Sequence, residues 1–377
     1  MQFIGIDLHT NRFTCSYRTE RSQPDDPKDR VIRTFELDAQ GLAAFYQTLT
    51  EDTYVLVEAT ITTFSFISLF KDRIKEAVIA NTYELKQVSL NRCSTDKIDA
   101  DKLCRILKAQ VLAGERLVVP VTLPPPEIQA LRGLFSTYRF FQKQQVQLKN
   151  RIHSLLKEKL YGFTREELFT KSRRQQIRAI EPGTALSFQV NLLLDRMERN
   201  EADIETLKEQ ILLSGEPFMP QIEILTSMKG VSVFIAIAII ADIIDVSRFK
   251  NSKALTSYLR SAPRVSSSNT TTKIRGTNKQ GRKLSATLLT QSLNHVLSSS
   301  MKLQRWYDRL VEYKKPGLVR TGLRRRVLAE IYQMLKRKEY HYGRDVKNHE
   351  EKMEQYRRFL EKHQNNQKNM EVFRKTA

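Results

Sequence analysis

Apolar and polar residues alternate from the second position onward. "QFIGIDL" (2–8) alternates and ends on an acid, which predicts a short strand. "RFTCSYR" (12–18) and "RVIRTFEL" (30–37) are rich in β-branched and aromatic residues and predict two more strands. The period then changes: "DAQGLAAFYQTL" (38–49) opens on Asp38, a capping residue, and follows helical spacing. "YVLVEA" (54–59) reads as a buried strand closing on Glu58. A helix through about residue 76, a strand "AVIA" (77–80) and a helix from about Asp96 complete the series.

Three strands followed by alternating helix and strand is the element order of the α/β RNase H-like (RuvC-like) fold, whose first three strands form an antiparallel meander. "VVPVTLPPPE" (118–127) cannot continue a helix and reads as an extended linker. Beyond it, "FQKQQVQLKNRIHSLLKEKL" (141–160) repeats apolar residues at Leu148, Ile152 and Leu155. Val190, Met197, Ile204 and Ile211 fall seven apart, interleaved by Leu193, Asn200 and Leu207, a heptad seam with one polar member. Two such helices form either a protruding antiparallel coiled coil or a pair packed on a globular core. "VFIAIAIIA" (233–241) predicts a buried helix, and residues 264–283 predict an exposed polar loop. The tail carries the basic clusters "RRR" (324–326) and "KRK" (336–338) and ends in a polar helix or a disordered stretch. The expected domains are 1–117 (catalytic), 118–217 (linker and coiled coil), 218–300 (mostly α-helical, with the polar loop) and 301–377 (basic helical tail).

Charge changes the picture. Lys and Arg number 63 against 42 Asp and Glu, a formal charge of +21, while 40% hydrophobic residues suffice for real cores. Such an excess is usually neutralised by a polyanion, and nucleic acid is favoured over an anionic membrane. The polar loop holds seven hydroxyl residues together with Arg264, Lys273, Arg275, Lys279, Arg282 and Lys283, a composition suited to phosphate contact. Cys15, Cys93 and Cys104 form no CxxC pair and suit a reducing compartment. Asp7 interrupts any N-terminal apolar stretch and "VFIAIAIIA" is too short to span a bilayer, so a cytoplasmic, nucleoid-associated protein with no membrane partner is expected.

Acid is concentrated in "STDKIDADKL" (94–103). Asp96 and Asp99 share one helical face, and Asp101 points elsewhere, toward solvent and a lysine. In an RNase H-like sheet, Asp7 and Glu58 lie side by side. Four convergent carboxylates repel one another unless hard divalent cations, Mg2+ or Mn2+, neutralise them, and such ions serve phosphodiester chemistry. The plainer alternative is a strand-end turn at Asp7 and a solvated helix start whose acids favour the macrodipole. An actin-like ATPase would need glycine-rich phosphate loops that the sequence lacks. The six histidines show no zinc spacing. Ser266, Ser267 and Ser268 offer hydroxyls that either attack phosphorus or do nothing covalent.

"FIGIDLHTNRF", "VLVEAT" and "STDKIDADKL" resemble the three acidic motifs of the DEDD transposases of the insertion-sequence one-ten group, relatives of the Piv-type DNA invertases. The stretch from "MKGVSVFIAIAIIADIIDVSRF" to "SSSNTTTKIRGTNKQGRKL" is similar to that group's second domain, and "LRRRVLAEIYQMLKRKEYHY" to its usual ending. The resemblance implies Asp7, Glu58, Asp96 and Asp99 as catalytic metal ligands. It implies a serine nucleophile five residues after Pro263, at Ser268, with Ser267 the neighbouring alternative. Asn269 and Ile61 stand where the group usually has glycine. It further implies a recombinase that cuts and exchanges donor and target DNA, guided by a structured non-coding RNA (a bridge RNA), and that works as a dimer or tetramer. A metal-dependent nuclease or junction resolvase without strand transfer is the alternative.

Overall fold

The computed structural model describes residues 1–376 except 24–25, 83–84, 86–94, 165–169, 269–270 and 278–279. The chain forms two compact units, Met1–Pro124 and Pro125–Ala377.

In the first unit, β1 (Gln2–Leu8), β2 (Arg12–Thr19), β3 (Val31–Glu36), β4 (Thr53–Glu58) and β5 (Glu76–Ala80) form one mixed sheet in the order β3-β2-β1-β4-β5. β1 pairs antiparallel with β2, and β2 with β3, whereas β4 runs parallel to both β1 and β5. Helices α1 (Ala39–Tyr46), α2 (Thr63–Ser68) and α3 (Asp96–Ala113) accompany it. The Asp38 carboxylate caps α1 by accepting from the Gly41 amide. The helix expected through residue 76 ends instead at Ser68, because the chain rejoins the sheet where the Lys75 amide bonds to the Thr53 carbonyl at 2.8 Å.

Period two sorts the strand residues between two cores. Ile4, Ile6 and Phe13 join Phe45 and Phe66 on one face, where aromatic rings meet edge-on at 4.9–5.2 Å. Phe3, Tyr54 and Leu56 meet Leu103, Cys104 and Leu107 of α3 on the other. Phe3, Gly5 and Asp7 therefore share the α3 side of β1. The Cys104 thiol donates to the Phe3 carbonyl at 3.2 Å. A Cβ at Gly5 would collide with the Ala100 carbonyl oxygen and the Cys104 amide nitrogen, both backbone atoms that cannot step aside. Gly5→Ala should therefore lift α3 off the sheet and cost about 3 kcal/mol, the upper end of ordinary overpacking. Urea denaturation measures this, and an unchanged midpoint would contradict the close approach.

The second unit is mostly helical. α4 (Pro126–Glu158) begins earlier than expected, since the last proline of the linker occupies its first turn, where a missing N–H costs nothing. After α5 (Lys171–Arg178), α6 (Ala185–Leu213) carries the heptad seam: Val190, Met197, Ile204 and Ile211 are all buried. Ile128, Leu131 and Phe135 of α4 share a core with Ile204 and Ile211, whereas Ile152 and Leu155 share another with Val190 and Met197. The two helices thus run antiparallel. One end of the pair enters the main core, and the other builds a small core with Ile177. Asn200 is buried at the crossover, its amide donating to the Phe141 carbonyl at 3.1 Å and the Gln145 amide oxygen at 2.7 Å.

The main core continues through α7 (Met219–Thr226), the buried α8 (Val233–Ile243), α9 (Ser252–Tyr258), α10 (Leu284–Leu297), α11 (Met301–Val311) and α12 (Pro316–Arg337). The polar stretch expected as a loop is instead a two-stranded antiparallel ribbon, β6 (Pro263–Ser268) and β7 (Thr271–Thr277), with Val265 opposite Ile274. Its strand signal lies in threonines and serines, which fit a pleated surface but read as loop by polarity. The tail ends in a helix, α13 (Val346–Thr376). Among the described residues, no helix is long and apolar enough to cross a membrane.

Candidate active site

Asp7 and Asp96 come together where β1 ends and α3 begins. Parallel pairing runs from Gln2 opposite Thr53 to Ile6 opposite Val57, and Asp7 and Glu58 are the next residues on their two strands. The hydroxyl of Thr95 caps α3 by accepting from the Ile98 amide, which fixes Asp96 and Asp99 in the first turn. Side-chain donor atoms of Asp7, His9 and Asp96 all lie within 4.8 Å of one another. His9 Nε2 stands 3.2 Å from Asp7 Oδ2 and 3.4 Å from Asp96 Oδ1. Arg12 Nη2 meets Asp96 Oδ2 at 3.0 Å, and Lys102 Nζ meets Asp99 Oδ1 at 2.9 Å. Glu58 and Asp99 stand outside the 4.8 Å group.

Burial raises the Asp7 pKa above the ordinary carboxylate value. His9 draws it back down, and the nearby charges of Asp96 and Asp99 push it up again. A half-buried carboxylate set beside a second carboxylate is a natural seat for a hard cation, and the donor set of carboxylate oxygens with one imidazole fits a divalent ion. His9, set aside for lack of zinc spacing, belongs to this cluster. Its signal was local: two residues after Asp7 on a chain of period two, it projects to the same side.

Asp101 does not reach solvent or a lysine. It is 4% exposed and accepts from Ser16 Oγ (3.0 Å), Arg18 Nε (3.1 Å), Arg30 Nη1 (3.2 Å) and Arg105 Nε (3.0 Å). Burial raises its pKa, but the Ser16 hydrogen bond and the Arg18 and Arg105 guanidinium groups outweigh that and hold it below the usual value. Ser16 and Arg18 face α3 by the same alternation that aims Asp7, so Asp101 anchors the helix on which Asp96 and Asp99 sit.

In the second unit, Ser266, Ser267 and Ser268 occupy β6, with Ser268 paired to Thr271. Arg264 is exposed on the same strand, and Lys273 and Arg275 lie on β7. Asn269 and Lys279 lie outside the described residues. Arg282 is engaged by the fully buried Asp242 at 2.8 Å, whereas Lys283 is exposed just before α10. Ile61, three residues after Glu58, is wholly exposed.

No curated protein matches the chain. Residues 222–308 match a protein-family model described as the Transposase IS116/IS110/IS902 family. That segment runs from within α7, through the buried α8 and the serine-bearing ribbon, into α11. Over residues 222–308, under a quarter of its length, the chain is similar to that transposase family.

Proposed function

We propose that this chain is a transposase that cuts and exchanges DNA strands at an RNase H-like carboxylate site in its first unit, using Ser268 as nucleophile and a structured non-coding RNA as guide. The observation that carries the reading is the convergence of Asp7 and Asp96 within one 4.8 Å group, in a chain whose family model spans Ser268. The sheet order β3-β2-β1-β4-β5, with its antiparallel meander, supports the RNase H-like assignment. The +21 charge supports a polyanionic partner.

Asp7, Glu58, Asp96 and Asp99 would hold magnesium or manganese, which when bound supplies Lewis-acid stabilisation of charge on a phosphoryl group. His9 and Arg12 keep the Asp7 and Asp96 carboxylates oriented. Ser268 Oγ attacks the phosphorus of a DNA phosphodiester: the Oγ–P bond forms, the P–O bond to the departing sugar breaks, the serine loses its proton, and the departing oxygen gains one. One phosphodiester replaces another, so attack on the phosphoserine by the hydroxyl of a new strand needs no ATP. Carboxylates and serine are contributed within a dimer or tetramer.

The test is incubation of wild-type and Ser268→Ala protein with DNA of the element's end and Mg2+, with and without the element's non-coding transcript. Wild type should form a covalent protein–DNA adduct only with the transcript, and Ser268→Ala should give neither adduct nor cut DNA. Cleavage that survives Ser268→Ala would identify a nuclease or junction resolvase instead. Adducts formed equally well without RNA would remove the guide.

A further inference from the structure

At the foot of the β6–β7 ribbon, within the second unit, lies a cleft of about 330 Å³ lined by Arg132, Ser136, Arg139, Arg260, Arg282 and Lys283. Residues from two distant parts of the chain build it, the first turns of α4 and the segments that flank the ribbon. None of its lining residues is acidic. The carboxylate that engages Arg282, Asp242, is fully buried, and its second oxygen is taken by the Ser285 amide (2.9 Å) and hydroxyl (2.8 Å). Five cations thus face one sequestered negative charge.

The walls are fixed by the fold. Arg132 Nε donates to the Ala241 carbonyl at 2.7 Å and Nη2 to the Asp242 carbonyl at 3.3 Å, which holds its guanidinium across the end of α8. Burial, then the neighbouring Arg282, disfavour its charged form. Arg260 adopts φ +50°, a left-handed backbone that a side chain keeps only where its surroundings impose it. Here they do: its Nε donates to the Gly281 carbonyl at 2.6 Å, and the Arg282 amide to the Tyr258 carbonyl at 2.9 Å. Gly281, at φ +94°, lies so close that a Cβ would strike the Tyr258 carbonyl oxygen. Arg139 and Lys283 are exposed at this cleft. Cations held at fixed positions against their own repulsion are preorganised for an anion. Phe135, the aromatic residue of the lining, is 1% exposed and offers no face on which a base can stack.

From this arrangement we infer that the cleft seats a backbone phosphate of the bound nucleic acid, with Arg139 of α4 and Lys283 beside the ribbon as its outer contacts. The inference rests on the nucleic-acid reading above and deepens it, since it places a contact on α4, outside the ribbon and outside the 222–308 segment. The chemistry recognised is a phosphodiester, whether of DNA or of RNA.

The experiment is fluorescence anisotropy of the full chain with labelled duplex DNA and, separately, labelled single-stranded RNA across a salt series, comparing wild type with Arg139→Gln and Arg139→Gln/Lys283→Gln. Loss of the one seated phosphate should flatten the dependence of log affinity on log salt by up to about 0.9 on duplex DNA, or about 0.7 on the single strand, with the double variant nearer that limit than Arg139→Gln alone. Whichever polymer shows the change is the one seated. Slopes equal to wild type on both polymers would overturn the inference while leaving the transposase reading in place. A wild-type chain that binds neither polymer would overturn both.

Discussion

Glu58→Gln and Asp7→Asn should each depress DNA strand cleavage by on the order of 10³-fold or more, the scale expected when an electrostatic centre for phosphoryl transfer loses a ligand. Calorimetric titration with Mn2+ should show weakened binding in the same variants. Their folding should not suffer. Asp7 has a raised pKa in the folded chain, so its ionised form is a liability at every pH above the unfolded value, and the cost fades only as pH falls below it. Asp7→Asn removes that liability, and the metal-free variant should melt at or above the temperature of wild type. A variant that both unfolds easily and fails to cut would point to a structural role for the acid. Full activity in both variants would end the carboxylate-site reading altogether.

Asp101→Ala should do the opposite, costing about 3–5 kcal/mol of stability, because it leaves the buried Arg18 guanidinium without its counter-charge. Arg18 has a wholly buried side chain, so water cannot replace the lost partner. Denaturant titration measures the loss. Removing both charges together, as Arg18→Met/Asp101→Leu, should recover much of it, since an apolar pair needs no compensation. The pH dependence follows from sign. Asp101 titrates below its ordinary value when folded, so its contribution is complete above the unfolded pKa and disappears as pH falls through the lower, folded one. Between about pH 5 and 8 the stability difference between wild type and variant should stay flat.

Those two aspartates mark what could and could not be read from the chain. Asp7 was legible because its signal is local: "QFIGIDL" alternates, and alternation alone puts Asp7 on the same side as Gly5 and Phe3. The helix bearing Asp96 and Asp99 was legible for the same reason, with its threonine cap and two acids within one turn. Asp101 lies in that same short acidic run and was misread, because its partners Arg18 and Arg30 are 83 and 71 residues away in sequence. Local pattern gives the direction in which a side chain points, but not which distant charge waits there. The β6–β7 ribbon was hidden differently, by hydroxyl residues whose polarity outweighed their strand preference. His9 has no partner at zinc-ligand spacing, and its place beside Asp7 follows instead from the two-residue step between them. The cleft at the ribbon's foot joins Arg139 to Lys283, residues that no sequence window contains together.

Helix α4 has 33 residues, about 50 Å at 1.5 Å per residue. Its first turns are held in the main core, and its last turns in the small core around Ile152 and Val190. Between these anchors the pairing with α6 repeats in heptads, and one heptad adds about 10 Å of length with little rotation of the seam. The distance between the two anchors is therefore an adjustable dimension of the molecule. Matched gains or losses of seven residues in both helices would lengthen or shorten the arm while each anchor kept its own packing, so reach can drift over evolutionary time without any change at the acids or the ribbon.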